Sequence, residues 1–240
     1  MDLKELESGV DPATHWYYQS KKIPLVAYVK KVFAQRRVPL TLVDVGSGSG
    51  FFMYELMKEI PQMISKVYLV DIGYTEEEIN ATKNQSIEKT RLLPEKIETA
   101  VVVMMDVLEH LEDDHGMLRA ISEKCSGENY FFITVPAFLH LWSGHDTFLG
   151  HKRRYTLKTL RALLRKENYR ESHLYYAYGL IYFIAWMKRK VFSASPGSKS
   201  DMRPAPPVVN YALRAYNSIE MSFSKVNRLV GLTCVAEGII

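Results

Sequence analysis

The residues best placed to do chemistry begin with three alternating glycines. The run Leu40 to Val45, LTLVDV, reads as a buried strand and feeds straight into Gly46-Ser47-Gly48-Ser49-Gly50, after which Phe51 to Glu59 reads as a helix stopped at Pro61. Glycine permits backbone conformations and close approaches that a Cβ would block, so a ligand can lie against the loop and the helix start. The next strand, Lys66 to Ile72, carries Asp71 at its end. That is about 20 residues on, where a carboxylate can hydrogen-bond a ribose diol. A dinucleotide loop would need Gly-x-Gly-x-x-Gly or a terminal Ala, and the bulky Phe51 at that third position argues against one.

A second cluster, Asp106-Val107-Leu108-Glu109-His110, follows the buried strand Ala100 to Met105. In open α/β sheets, ligands sit outside the carboxyl ends of strands. Asp106, Glu109 and His110 are spaced i, i+3, i+4 and share a face on a helical turn. Two carboxylates and an imidazole could bind a divalent metal. The expectation is instead that Glu109 and His110 cap and brace the turn, with no metal.

The third cluster follows strand Tyr130 to Val135. Leu139 to Tyr155 reads as a loop that holds His140, Trp142, His145, Asp146, His151, Lys152, Arg153, Arg154 and Tyr155. Most of these are poor core residues, and a loop of this length usually carries function.

The elements around these clusters alternate, strand and helix, as in a mostly parallel sheet covered on both faces. Ile23 to Arg36 reads as a leading helix. Thr75 to Lys83 reads as a short helix with Thr75 and Glu78 in a capping box. A short edge strand is expected in Gln85 to Pro94, a helix over Asp114 to Cys125, and a helix over Thr156 to Lys166 capped by Thr156. Arg170 to Tyr178 reads as a strand, Ile181 to Phe192 as a helix ending in Lys188-Arg189-Lys190, and Ser193 to Pro207 as a Ser/Pro/Gly-rich loop. A long amphipathic helix over Val208 to Asn227 and a strand over Leu229 to Ile239 complete the chain.

Val43 to Gly50, VDVGSGSG, resembles the first motif of class I S-adenosylmethionine-dependent methyltransferases, whose loop is Gly-x-Gly-x-Gly. The resemblance implies a Rossmann-like α/β fold, a seven-stranded and mostly parallel sheet with helices on both faces and an antiparallel last strand. On one domain spanning 1–240, the stretch 139–155 would be a substrate loop and 181–227 a helical cap inserted before that strand. It also implies S-adenosyl-L-methionine as cofactor. Asp44, Gly46, Ser47, Gly48 and Gly50 would line its site, Asp71 would hold the ribose hydroxyls and Ile72 would pack on the adenine. Asp106, Val107 and Leu108 would flank the methionine portion. The pattern W-S-x-H-D-x-x-x-G-H-x-R-R-Y further resembles a subgroup often encoded beside polysaccharide and glycolipid genes.

Methyl transfer to a hydroxyl needs a base for the hydroxyl proton, and His suits neutral pH. His145, oriented by Asp146 or another carboxylate, is the first candidate and His151 the second; His110 completes the catalytic set. Arg153 and Arg154 could clamp a phosphate or carboxylate, with Trp142 and Tyr155 beside them in the substrate set. The expected reaction is O-methylation of a sugar, glycolipid or other small acceptor. An RNA or protein methyltransferase is the alternative, without an N-P-P-Y-type segment or RNA-binding module to support it. So is an inactive cofactor-binding partner protein, which the intact loop disfavours.

The bulk composition excludes little: 47% hydrophobic, 24% charged and a net charge of +4 fit an ordinary globular chain. The cysteines, Cys125 and Cys234, show no metal-type spacing and suggest neither zinc nor a disulfide framework, so a reducing, cytoplasmic setting is expected. The polar start MDLKELESGVDP lacks a secretory h-region. Leu174 to Met187 is apolar but short of the roughly 20 residues a spanning helix needs. Residues 181–192 could instead contact a membrane surface, or form an ordinary cap packed on Tyr211, Leu213, Tyr216, Ile219, Met221 and Phe223. Oligomeric state is left open.

Overall fold

The computed structural model describes residues 9–191 and 203–240. The reading of the first eight residues, and those of Phe192 and most of Ser193 to Pro207, fall outside them. Seven strands form the main sheet: β1 (Leu40–Val45), β2 (Ile64–Val70), β3 (Ile87–Thr90), β5 (Ala100–Met105), β7 (Tyr130–Pro136), β8 (Arg170–Ala177) and β9 (Thr233–Ile239). Their spatial order is β3-β2-β1-β5-β7-β9-β8. All inner pairings are parallel except those of β9, which runs antiparallel to β7 and β8. A minor pair, β4 (Ile97–Glu98) and β6 (Cys125–Ser126), stands apart.

The period of two in the central strands explains why helices cover both faces. On β5, Val101, Val103 and Met105 enter one core, while Ala100, Val102 and Met104 enter the other. The first core is closed by α1 (Trp16–Arg36), α2 (Phe51–Glu59) and Met221 of α8 (Pro207–Phe223). The second is closed by Leu118 and Ile121 of α4 (Asp114–Lys124) and by Leu160, Leu163 and Leu164 of α6 (Leu157–Lys166). Between β2 and β3, α3 (Glu76–Thr82) starts at the expected Thr75–Glu78 capping box. Thr156 caps α6 as expected.

Three expectations need correction. The leading helix begins at Trp16, two turns before Ile23, and Pro24 lies inside it. Proline usually marks a helix start. Here His15 caps the helix instead, by accepting from the Tyr17 amide, and Asn210 of α8 accepts the Trp16 amide at 2.8 Å. The stretch Leu139 to Tyr155 is not all loop: a 3-10 turn (Leu139–Leu141) precedes helix α5 (Gly144–Leu149), whose first turn is boxed by Ser143 and Asp146. Of the α8 face expected to be buried, Met221 is buried, but Tyr211, Tyr216, Ile219 and Phe223 are exposed. The cap seats on α1 through the Asn210 and Met221 side rather than through its aromatic stripe. The cap's first helix, α7 (Gly179–Val191), is tied to α8 by the Gly179 amide, which donates to Glu220. No helix among the described residues is long and apolar enough to cross a membrane.

Candidate active site

The carboxyl ends of β1, β2, β5 and β7 lie along one edge of the sheet, and the loops that leave them build two cavities. The first has a volume of about 1120 Å³ and is lined by Gly46, Gly48, Asp71, Ile72, Asp106, Val107, His110 and residues of α4. Gly46, Gly48 and Gly50 all take positive φ, 69°, 53° and 73°. A Cβ on Gly46 would lie 2.6 Å from Val107 Cγ2, and one on Gly50 would lie 2.7 Å from a Leu69 methyl. The loop is therefore glycine for both conformation and space. The Gly46 amide donates to the Val70 carbonyl at 2.8 Å, which ties the loop to β2.

Asp71 accepts from the Gly48 amide at 2.8 Å and from the Gly73 amide at 2.9 Å, which fixes its carboxylate at the rim. Ile72 is 89% exposed beside it, so an apolar side chain stands at the cavity mouth with little protein against it. Ser47 is buried, its Oγ 2.8 Å from the Tyr74 hydroxyl, and that hydroxyl also lies 2.7 Å from the Gly48 carbonyl. Tyr74 thus braces the loop, a role its place three residues after Asp71 could have signalled. Its own pKa is pushed up by burial. Burial, aided by the Asp71 charge, raises the Asp44 carboxyl to about 7, so near neutrality it can donate as well as accept. Leu108 is fully buried. Its carbonyl lies 3.3 Å from the Tyr155 hydroxyl.

The second cavity, of about 300 Å³, shares Asp106 and His110 with the first. Trp16, Tyr17, Tyr18 and Lys21 of α1 line it, with Glu109, His145, His151, Arg154, and Ile184, Lys188 and Arg189 of α7. Sequence reasoning missed the whole contribution of α1, because no local motif marks it. Lys21 is buried and paired with Asp106. Asp106 sits at φ 57° and accepts from the Thr134 hydroxyl at 3.0 Å. Burial works to raise its pKa, but the Lys21 ammonium and this hydrogen bond hold the carboxyl below its ordinary range.

The structure brings together some of the expected catalytic residues and separates others. Asp146 orients His151, with Nδ1 2.8 Å from Oδ1, and not His145. Asp146 is fully buried and also accepts from Arg154 at 2.7 Å and from the Ser143 amide at 2.8 Å. Burial opposes ionisation there, but the His151 and Arg154 bonds win and hold the carboxyl well below the usual range. His110 and His151 meet edge to face at 4.7 Å. Glu109 beside them is fully buried, and neither carboxylate oxygen has a hydrogen-bond partner among the described residues. Burial first, then the Asp106 charge, pushes its pKa well up.

The expected substrate set divides. Arg154 lines the second cavity and donates to the Ala137 carbonyl at 2.9 Å. Arg153 turns away, donating to the Leu111 and Glu112 carbonyls at 2.9 and 2.8 Å and pairing with Asp114 at 2.9 Å. Tyr155 is buried, its hydroxyl 2.7 Å from Asp114. Trp142 is half-buried at the end of the 3-10 turn, and neither cavity wall includes it. Arg153 and Tyr155 thus clamp the 108–114 segment, which holds His110 at the junction of the two cavities.

A family model for the methyltransferase domain matches residues 16–173, and the chain belongs to that family. Its methyl donor is S-adenosylmethionine. The fold is that of a SAM-dependent methyltransferase from Archaeoglobus fulgidus, with 17% identity and a TM-score of 0.55 over 99% of this chain and 98% of that one. It is also similar to the putative methyltransferase solved with the Trm112 activator of Haloferax volcanii, with 15% identity and a TM-score of 0.53 over 98% and 92% of the two chains. A third similar structure is the plantazolicin methyltransferase BpumL in complex with SAH, with 14% identity and a TM-score of 0.53 over 92% and 82%. No curated protein matches in sequence.

The first cavity fits the donor's demands: a glycine turn at Gly46 where a Cβ would drive against Val107 of the cavity wall, a fixed carboxylate at Asp71 and an exposed apolar side chain at Ile72. Gly46→Ala should therefore weaken binding of S-adenosylhomocysteine by about ten-fold or more, a loss of about 1.4 kcal/mol or greater. Calorimetric titration of the folded variant checks this; wild-type affinity would mean that the loop does not cradle the ligand.

Proposed function

We propose that this methyltransferase transfers its methyl group to an oxygen of a small, negatively charged acceptor, such as a sugar or glycolipid, held in the second cavity. One observation carries the reading: this cavity meets the cofactor crevice at Asp106 and His110, and its wall combines aromatic rings with Lys21, Arg154, Lys188 and Arg189. Trp16, Tyr17 and Tyr18 suit the apolar face of a ring, and the cationic groups suit a phosphate or carboxylate.

When bound, the cofactor supplies a methyl group activated by a sulfonium. Val107 and the Gly46 turn set the depth of the crevice, and Asp71 takes the ribose. Lys21 fixes Asp106 in the wall between the two ligands. The acceptor hydroxyl gives up its proton as the carbon–oxygen bond forms, and His145 takes it. The nitrogens of His110 and His151 converge with Glu109, within 4.8 Å, whereas His145 lines the cavity from the first turn of α5 outside that group. Lys188 and Arg189 supply positive charge at the acceptor's anionic end, beside Arg154, whose own charge is matched by Asp146.

The acceptor reading extends to a lipid-linked molecule. On α7, Leu180, Phe183, Ile184 and Met187 are exposed, and Lys188, Arg189 and Lys190 follow them. Because Ile184, Lys188 and Arg189 also line the cavity, such a face would bring its opening against a bilayer of anionic lipid.

Two measurements test this function. His145→Ala should leave S-adenosylhomocysteine affinity unchanged and cut turnover on an oxygen acceptor by about 10²-fold or more. Undiminished turnover removes His145 from the reaction. In a sedimentation assay at low salt, the protein should pellet with vesicles containing phosphatidylserine and Phe183→Glu should pellet less; equal retention in the supernatant with and without vesicles would count against the lipid face.

A further inference from the structure

Glu109 presents an unusual problem. It is fully buried beneath the second cavity, and both its carboxylate oxygens lack a hydrogen-bond partner among the described residues. A buried carboxyl group without a partner is destabilising, and native proteins match such groups with cations or donors. Two cationic side chains are near, but each is matched elsewhere: Lys21 with Asp106, and Arg154 with Asp146. The charges of those two pairs cancel, which leaves neither cation to satisfy the two Glu109 oxygens.

Two imidazoles stand on it. His110 is its neighbour in the 3-10 turn Leu108–His110, and His151 arrives from the far side on the segment after α5. One ligand atom from each of Glu109, His110 and His151 lies within 4.8 Å of the other two. Atoms that share one ion at bond lengths of about 2.1 Å sit roughly 3–4 Å apart, so the cluster needs a closure of less than about 2 Å. The Asp146 contact at His151 Nδ1 assigns Nε2 to the cluster side. That is the carboxylate–histidine–metal arrangement in which an outer carboxylate fixes the ring and raises its basicity.

We propose that Glu109, His110 and His151 form a site for one divalent transition-metal ion on the wall of the acceptor cavity. Two imidazoles and one carboxylate suit zinc, manganese or cobalt better than magnesium or calcium, which take oxygen ligands. The site's existence does not depend on the function proposed above; its role does. There the ion takes the acceptor oxygen as a further ligand and lowers its pKa. The hydroxyl proton still goes to His145, the oxygen forms its bond to the methyl carbon, and the carbon–sulfur bond breaks.

The test uses tag-free, full-length protein stripped with chelator and titrated with Co²⁺, followed by calorimetry and by visible d–d absorption. One equivalent should bind, and Glu109→Gln should lower the affinity by about 100-fold while S-adenosylhomocysteine affinity and the circular dichroism spectrum stay as in the wild type. Should Glu109→Gln not fold, His151→Ala, which lines the acceptor cavity and not the cofactor crevice, serves in its place with the same expected loss of Co²⁺ affinity. No uptake by the wild type, or equal uptake by the variant, overturns the site. A protein that binds Co²⁺ here yet methylates no oxygen acceptor would sink the proposed function and leave the metal site standing.

Discussion

A buried ammonium holds the partition between the two cavities. Lys21 is 5% exposed, and a lone charge at such a position costs several kcal/mol. It is matched by Asp106, with the Tyr17 ring beneath it at 5.1 Å. Asp106 in turn takes a left-handed backbone, which a non-glycine residue adopts at some cost, and Asp bears more easily than most. Its amide donates to the Thr134 carbonyl at 2.9 Å, and the Thr134 hydroxyl donates back to it. The interaction therefore joins α1, the end of β5 and the end of β7. It thereby fixes the Asp106 side chain where the two cavities meet.

From that partition the rest of the site follows in layers. The 108–114 segment is clamped from outside by Arg153 and Tyr155 through Asp114. It is also tied to the far loop, where the Lys152 amide donates to the Glu109 carbonyl at 2.8 Å. The loop is stiff because α5 ends at a left-handed Gly150 and returns His151 to Asp146. A stretch dense in His, Arg and Asp is thus largely satisfied, through Asp146 within itself and through the 108–114 segment outside it.

How far the sequence announced this differs from region to region. The bounds of β1 and β5 coincide with the apolar runs that suggested them, because strands buried on both faces read as short unbroken apolar stretches. The capping box at Thr75 and the cap at Thr156 were legible because a helix start is written in residues within one turn of each other. Helix α5 was not: it is six residues long and its Asp146 cap looks in sequence like a catalytic acid. The first two turns of α1 were hidden by Pro24, and with them Trp16, Tyr17 and Lys21. In the site, the glycine loop and Asp71 could be read because both belong to one strand–turn–helix–strand unit. The pairing of Asp146 with His151 rather than His145 could not, since it depends on how the chain turns after Gly150. The meeting of His151 with His110 needs tertiary packing that no local pattern encodes.

The central claim is that the donor lies along the loop Gly46–Gly50 with its sugar at Asp71 and its sulfur end toward Asp106. Amide hydrogen exchange with and without S-adenosylhomocysteine measures this directly. Protection should rise in peptides covering 44–51, 71–74 and 105–110, with little change in α8. Protection confined to other segments, or none at all under saturating ligand, would contradict the account.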